Sequence, residues 1–490
     1  MKYLKYFENS AAIGGGVEVD LPNVSYLEDS NVLFGHGNEG TATIKINSST
    51  GTIYRDYASE YLTFEALEAG AFTLTIGSAI TTTLLSSVSY SLDNGDTWTT
   101  TNNVDSQTVT ITTPSVEKGQ KVLWKGNGTA MSIATNSTAA ANRAPSSSIF
   151  SSSGEFDVYG NIMSLLCGDN FVGQTSFANG SSSNFALLFY CYNMANVAKI
   201  RSAKNCILPV TVLTSNCYTR MFQASPTLIN TPALSATTMA NYCYAAMFNG
   251  CTKLTASPEL PAAILVDYCY YYMFSGCGSL TTAPALSATT LATYCYYGMF
   301  YGCTSLTTAP ALPVTTLADS CYSAMFEGCT SLTTAPELPA TTLANSCYFW
   351  MFRDCTNLTA APQLPATILT DWCYREMFMN CSNLIAAPEL PATTLAERCY
   401  QHMFYGCTSL TTAPALPATT LAGNCYAGMF RDCTSLNEIT CYATDISAAN
   451  STENWVSGVA STGTFKKNAS MSSWTTGVNG IPSGWTIVDA

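Results

Sequence analysis

The stretch Cys303-Thr304-Ser305-Leu306-Thr307-Thr308-Ala309-Pro310-Ala311-Leu312-Pro313-Val314-Thr315-Thr316-Leu317-Ala318-Asp319-Ser320-Cys321-Tyr322-Ser323-Ala324-Met325-Phe326-Glu327-Gly328 is one unit of a repeat that runs from Cys217 to Leu436. Its Cys-Tyr dipeptide begins at Cys217, Cys243, Cys269, Cys295, Cys321, Cys347, Cys373, Cys399 and Cys425, so the period is 26 residues. A period of this size marks a solenoid, propeller or array. Each unit then buries its apolar side only by stacking on its neighbours.

Within the unit, Leu306-Thr307-Thr308-Ala309 reads as a short strand bounded by Pro310 and Pro313, which remove backbone donors. Thr315 or Thr316 is suited to cap a helix. Leu317, Cys321 and Met325 recur at i, i+4 and i+8, with Ala318, Tyr322 and Phe326 in the adjacent row, which predicts an apolar helical stripe ending at Gly328. A strand-plus-helix coil follows, and strand pairing at about 4.8 Å gives nine coils a length of roughly 45 Å.

The flanks differ from the repeat. Residues 1–40 read as an arm, interrupted by Gly14-Gly15-Gly16, in which Leu21, Pro22, Val24 and Tyr26 form a candidate attachment peptide; a free terminus is the plainer reading. Residues 41–150 alternate with period two, as in Phe72-Thr73-Leu74-Thr75-Ile76, and read as a small β-sandwich. Asn94-Gly95, between two such runs, predicts a hairpin because both residues accept positive φ. Ser91, Asp93, Gly95, Thr97 and Trp98 also resemble the Asp-box, which in glycosidases is a structural hairpin and not the catalytic site. Residues 151–216 read as linker and N-terminal cap, 217–440 as the solenoid, and 441–490 as a β cap in which Trp455, Trp474 and Trp485 cover the end of the core. The expected fold is thus multidomain α+β: a β-sandwich-like domain, then an α/β solenoid of 26-residue repeats (short strand plus helix) with a small C-terminal β cap.

Composition excludes several functions. The net charge of −13 lacks the basic footprint of nucleic-acid binding. Two histidines leave little material for acid–base or metal chemistry, and no cofactor is expected. No apolar run is long enough to span a membrane. The opening Met1–Glu8 carries no secretory pattern, so the expectation for a complete sequence is synthesis in a cytoplasm, with the protein staying there or leaving by lysis. Of the 21 cysteines, 17 fall in two rows of period 26. They read as stacked, reduced, buried hydrophobes, with disulfides as the alternative. No Cys-x-x-Cys pair offers a zinc site.

The unit resembles the leucine-rich repeats of BspA-like proteins, which are common in gut Bacteroidales and in their tailed (crAss-like) phages. Those repeats share a C-x-x-L … L-P … A-F-x-x-C frame, here with Met-Phe in place of Ala-Phe and a longer unit. The resemblance covers about half the chain. It implies a recognition or scaffolding surface, although a fold does not set a function.

No catalytic motif is present: no Gly-x-Ser-x-Gly elbow, phosphate-binding glycine loop or His-Glu-x-x-His. Glu259, Glu337 and Glu389 recur at one repeat position and read as a solvated acidic stripe. The informative positions vary between coils: one before Cys, and two and three after it. They hold Tyr268, Tyr271 and Tyr272, then Tyr294 and Tyr297, then Phe349 and Trp350, then Trp372 with Arg375 and Glu376. Helical spacing brings them together as a candidate contact surface. A subunit interface, a glycan or host-surface site, and plain surface tyrosines all fit. The resemblance, together with the missing secretory pattern, implies as the expected function a non-enzymatic phage virion protein of head-fibre or capsid-decorating type, a homotrimer on the virion surface, as phage fibres commonly are, whose arm binds a capsid protein. A bacterial surface adhesin is the alternative, and a glycan-active enzyme the second.

Overall fold

The computed structural model describes residues 53–80, 84–102, 108–132, 147–177, 182–191, 197–471 and 474–490, with the short strand fragments Leu27–Glu28, Asn31–Val32 and Ile44–Ile46. Leu21, Pro22, Val24 and Tyr26 lie outside the described residues.

Two sheets form the N-terminal part. One has six strands in the order Ile200–Ile207, Phe156–Asn161, Leu62–Ala66, Lys121–Gly128, Leu85–Ser91 and Thr99–Asn102. The other has three, Ile149–Ser152, Phe72–Ile76 and Val109–Thr112. Period-two alternation turns Phe64, Trp124 and Phe156 of the first sheet toward Phe72 and Phe150 of the second, with Phe64–Phe150 and Trp124–Phe150 ring centroids 4.9 Å apart. The sheets do not stop at residue 150: strands at 149–152, 156–161 and 200–207 belong to them. Asn94 and Gly95 both take positive φ (58° and 101°) at the tip of the predicted hairpin. There Asp93 accepts from the Ser91 and Thr97 hydroxyls and the Thr97 N–H, bonds that lower its pKa to about 2. Trp98 packs on Tyr61 and under the Lys125 ammonium, so the Asp-box-like residues act as a structural staple.

The repeat region departs from the expected strand-plus-helix coil. Among the described residues of 217–436 there is no helix and no extended strand. The strand side of each coil touches the next through single parallel bridges, such as Ala256↔Thr282↔Thr308 and Thr316↔Thr342. The predicted helix is a run of overlapping turns. From Ser320 to Cys329, alternate N–H groups bond back three residues (Cys321 to Ala318, Ser323 to Ser320, Met325 to Tyr322, Glu327 to Ala324). The intervening ones donate to the next coil (Tyr322 to Cys347, Ala324 to Phe349, Phe326 to Met351, Gly328 to Arg353). Every fourth residue is left-handed: Ser320 (φ 53°), Ala324 (52°) and Gly328 (72°). The turn run repeats every four residues, so it places Cys321, Met325 and Cys329 on one side just as a helix would. This is why the spacing suggested a helix.

The buried side of the turn run stacks into ladders. Tyr218 to Tyr426 stack ring on ring with centroids 5.7–6.1 Å apart. Phe222 to Phe430 form a parallel column at 5.6–5.8 Å. Aromatic pairs in such contact add about 0.5–1.5 kcal/mol each beyond area burial. Irregular coils close both ends. Phe185 and Phe189 begin the two columns, and Phe189 stacks on Phe150 of the sandwich, joining both parts in one core. At the other end Trp455 continues the Tyr column, Trp474 stacks on it, and the parallel sheet Glu438–Cys441, Thr464–Lys467, Thr486–Asp489 completes the stack.

The cysteines occupy the same core. Both periodic rows are buried and all 21 thiols are free. Cys251, Cys277, Cys303 and their successors donate S–H to the Phe carbonyl of the preceding coil at 2.9–3.2 Å. Burial pushes thiols such as Cys217 and Cys303 up to about 12, so none is a thiolate at neutral pH. A thiol reagent should therefore label at most the half-buried Cys167 and Cys191 in native protein, and all 21 in denaturant without reductant. A denatured count far below 21 would show disulfides in place of ladders.

Candidate contact face

The turn run alternates two inward residues with two outward ones. Taking the Cys of Cys-Tyr as zero, the outward positions are −1, +2, +3, +6 and +7. Positions −1, +3 and +7 are left-handed in almost every coil. Position +7 is held by Gly, Asn or Asp from Gly250 to Asp432, the residues that best tolerate this conformation. The bulky occupants of −1 and +3 do not tolerate it well: Tyr268 (φ 59°), Tyr272 (50°), Trp350 (59°) and Trp372 (62°) each oppose a preference of roughly 1–2 kcal/mol. Their N–H groups donate to the next coil, at 3.0 Å from Tyr268 to Thr293 and 2.8 Å from Tyr272 to Tyr297. Coil stacking thus holds side chains outward that the local backbone alone would not.

Tyr268, Tyr271, Tyr272, Tyr294 and Tyr297 converge in one cluster that also includes Tyr242 and Tyr301. Tyr242, Tyr268 and Tyr294 stack at 4.4 and 4.8 Å. Tyr271 stacks on Tyr297 at 5.3 Å, and Tyr272 meets Tyr297 and Tyr301 edge-on. The Tyr272 and Tyr297 hydroxyls are hydrogen-bonded to each other. Burial raises Tyr268 and Tyr271 to about 12, so the cluster is uncharged at neutral pH. Ring faces are largely used within the cluster, leaving edges and hydroxyls at the surface.

Phe349, Trp350 and Trp372 form a second cluster across two neighbouring coils, which Arg398 extends to a third. Phe349 stacks on Trp350 at 4.2 Å and meets Trp372 edge-on at 6.2 Å. Trp372 is approached by the guanidinium groups of Arg375 (4.5 Å) and Arg398 (4.9 Å), and Trp350 by Arg353 (5.0 Å). Glu376, buried, accepts from Trp350 Nε1 at 2.7 Å and pairs with Arg375 at 3.0 Å and Arg353 at 3.5 Å. Burial pushes its pKa up, but His402, Arg375, Trp350 and Arg353 outweigh this and hold it below the usual value. Glu327 differs. Burial raises it to about 7, and Arg353 at 3.7 Å only partly offsets this.

Between the clusters lies one coil with small outward residues, Ser320, Ser323 and Ala324, all buried. Sequence reasoning marked positions −1 and +3 but did not name Tyr242, Arg398 and His402 there, and it missed Tyr301, Glu327 and Arg353, which are at +6. A 3.6-residue helix carries position +6 away from +2, whereas a four-residue turn returns it to the same face. Glu259, Glu337 and Glu389 are exposed on another part of each coil, with Glu337 and Glu389 two coils apart. Among the described residues no group of His, Cys, Asp and Glu could hold a metal ion, and no helix is long and apolar enough to cross a membrane.

A family model described as BspA type leucine-rich repeat region matches residues 198–307, 229–359 and 352–452, in six copies. These matches span 255 of the 490 residues. The chain belongs to the BspA-type leucine-rich repeat family. No curated protein matches it. The matched BspA-type region contains both clusters and ends within the irregular coil after the last Cys-Tyr unit.

Glu327 gives a pH prediction. Its folded pKa lies above its unfolded one, so its contribution is fully present below about pH 4.5 and is lost as pH rises through about 7. Glu327→Gln should therefore gain stability relative to wild type between pH 5 and pH 8, by roughly 1–3 kcal/mol. Thermal melts of both proteins at the two pH values check this; a difference that does not change with pH would remove Glu327 from the account.

Proposed function

We propose that this is a non-enzymatic, surface-displayed contact protein of adhesin type, whose stacked repeat forms a solenoid presenting the Tyr, Trp and Arg face to a macromolecular partner. One observation carries the reading. At the five outward positions, the coils from Tyr242 to Gly406 concentrate eight tyrosines, two tryptophans and three arginines, with no lysine. Trp, Tyr and Arg dominate the binding energy of protein interfaces, while Lys is depleted there. The rest of each unit is core or spacer and repeats almost unchanged. The finer reading is a phage virion component of head-fibre or capsid-decorating type, with residues 1–40 as its attachment arm, 41–150 as the sandwich and 217–440 as the solenoid. It rests on the resemblance to repeats found in such phages. A bacterial cell surface is the other site of display.

Surface attachment tests the reading. Full-length protein and the variant Tyr271→Ser/Phe349→Ser/Trp372→Ser should be compared for binding to immobilised mucin and to intact bacterial cells. The variant should bind at least tenfold more weakly to whichever surface retains wild type, while lost ring stacking lowers its melting temperature but leaves it folded at the assay temperature. Equal binding by both proteins would separate the face from attachment. Sustained release of reducing ends from mucin would overturn the non-enzymatic reading.

A further inference from the structure

The outward face is divided about one coil, and the division is symmetric. On one side lie the three coils beginning at Tyr242, Tyr268 and Tyr294; on the other, the three beginning at Ser346, Trp372 and Arg398. The middle coil carries Ser320, Ser323 and Ala324. At the five outward positions the first three coils contain seven of the eight tyrosines, Tyr405 being the exception, and no charged residue. The last three contain Arg353, Arg375 and Arg398 with the carboxylates Asp354 and Glu376. From Leu254 to Leu436 the chain has only four cationic side chains other than histidine, Arg353, Arg375, Arg398 and Arg431, and all four occupy these positions.

We propose that the partner on this face is a second copy of the chain, docked antiparallel about a two-fold axis through the coil of Ser320 to Gly328. This rests on the reading of the face as a contact surface and adds what occupies it. A two-fold through that coil places the Tyr268 coil opposite the partner's Trp372 coil, the Tyr294 coil opposite its Ser346 coil, and the Tyr242 coil opposite its Arg398 coil. Each arginine-bearing coil then meets an uncharged tyrosine coil, and it does so twice, as an isologous interface requires. Guanidinium groups find phenol oxygens and ring edges, and no arginine faces another arginine. A parallel arrangement would set Arg353, Arg375 and Arg398 against their own copies. The middle coil itself contributes little contact at the axis, since Ser320, Ser323 and Ala324 are buried within their own chain and Glu327 is buried beside Arg353, so the contact falls to the three coils on either side. Seven coils at about 4.8 Å make a face roughly 30 Å long, within the scale of a standard interface. The complementarity is internal to one chain, which is why a second copy fits better than an acidic or a neutral carbohydrate. Every arginine of the face already has a carboxylate neighbour at 3.0–3.7 Å, and the tyrosine ring faces are largely stacked.

Full-length protein at micromolar concentration should behave as a dimer in light scattering coupled to gel filtration. A photo-crosslinking phenylalanine analogue placed at Tyr271 should crosslink, in a mixture of isotopically light and heavy chains, to residues 372–380 of the other chain. Arg375→Glu/Arg398→Glu should weaken dimerisation at least tenfold, and Tyr297→Ser, which leaves every ion pair intact, should weaken it as well. A monomer, a trimer, or crosslinks from position 271 to the partner's own 268–276 coil would overturn the inference. A monomeric wild type whose face variants still lose surface attachment would overturn only the second copy and leave the contact-face reading standing.

Discussion

The structure depends on one backbone arrangement: alternate N–H groups of each turn run donate to carbonyls of the next coil, which requires a left-handed residue at every fourth position. Ser320, Ala324 and Gly328 show it in one coil, and Tyr268, Tyr272 and Gly276 in another. Without the neighbouring coil these bonds have no acceptors, and the left-handed residues oppose folding by roughly 1–2 kcal/mol each where they are not glycine. Stability is therefore a property of the stack and not of any unit. The irregular coil at Ser183–Cys191 and the one at Asn450–Gly458 supply the first and last partners.

The same arrangement separates core from face. Two residues in four turn inward and build the Cys, Tyr, Met and Phe columns, which tolerate no variation because each side chain stacks on its copy one coil away. The other two turn outward, and their backbone is held whatever the side chain. Nearly all the variety in the repeat falls there, which is how Trp350 and Trp372 come to be left-handed without loss of order.

The period, the stacked cores, the buried cysteine rows, the hairpin at Asn94-Gly95 and the tryptophan cap were legible in the sequence because each follows from composition at fixed spacing. The helix was not. Cys321, Met325 and Cys329 have the spacing of a helical stripe and of a four-residue turn alike. The distinguishing sign was the absence of drift: inward pairs return at four residues, never at three, and position +7 is held by Gly, Asn or Asp in eight successive coils from Gly250 to Asp432. The error carried into the site. Helical geometry grouped Tyr268, Tyr271 and Tyr272 correctly but left out Tyr301, Glu327 and Arg353, and with them the ion-pair network around Glu376.

Ser346→Gly tests the left-handed turn run most directly. Ser346 is half-buried, left-handed (φ 54°), and its N–H donates to Asp371. Glycine accepts that conformation freely, so the variant should be more stable than wild type, by on the order of 1 kcal/mol, and melt at a higher temperature. In a helix the same change would be destabilising by a similar amount. A lower melting temperature for Ser346→Gly would contradict the turn run, and with it the account of how the face is held.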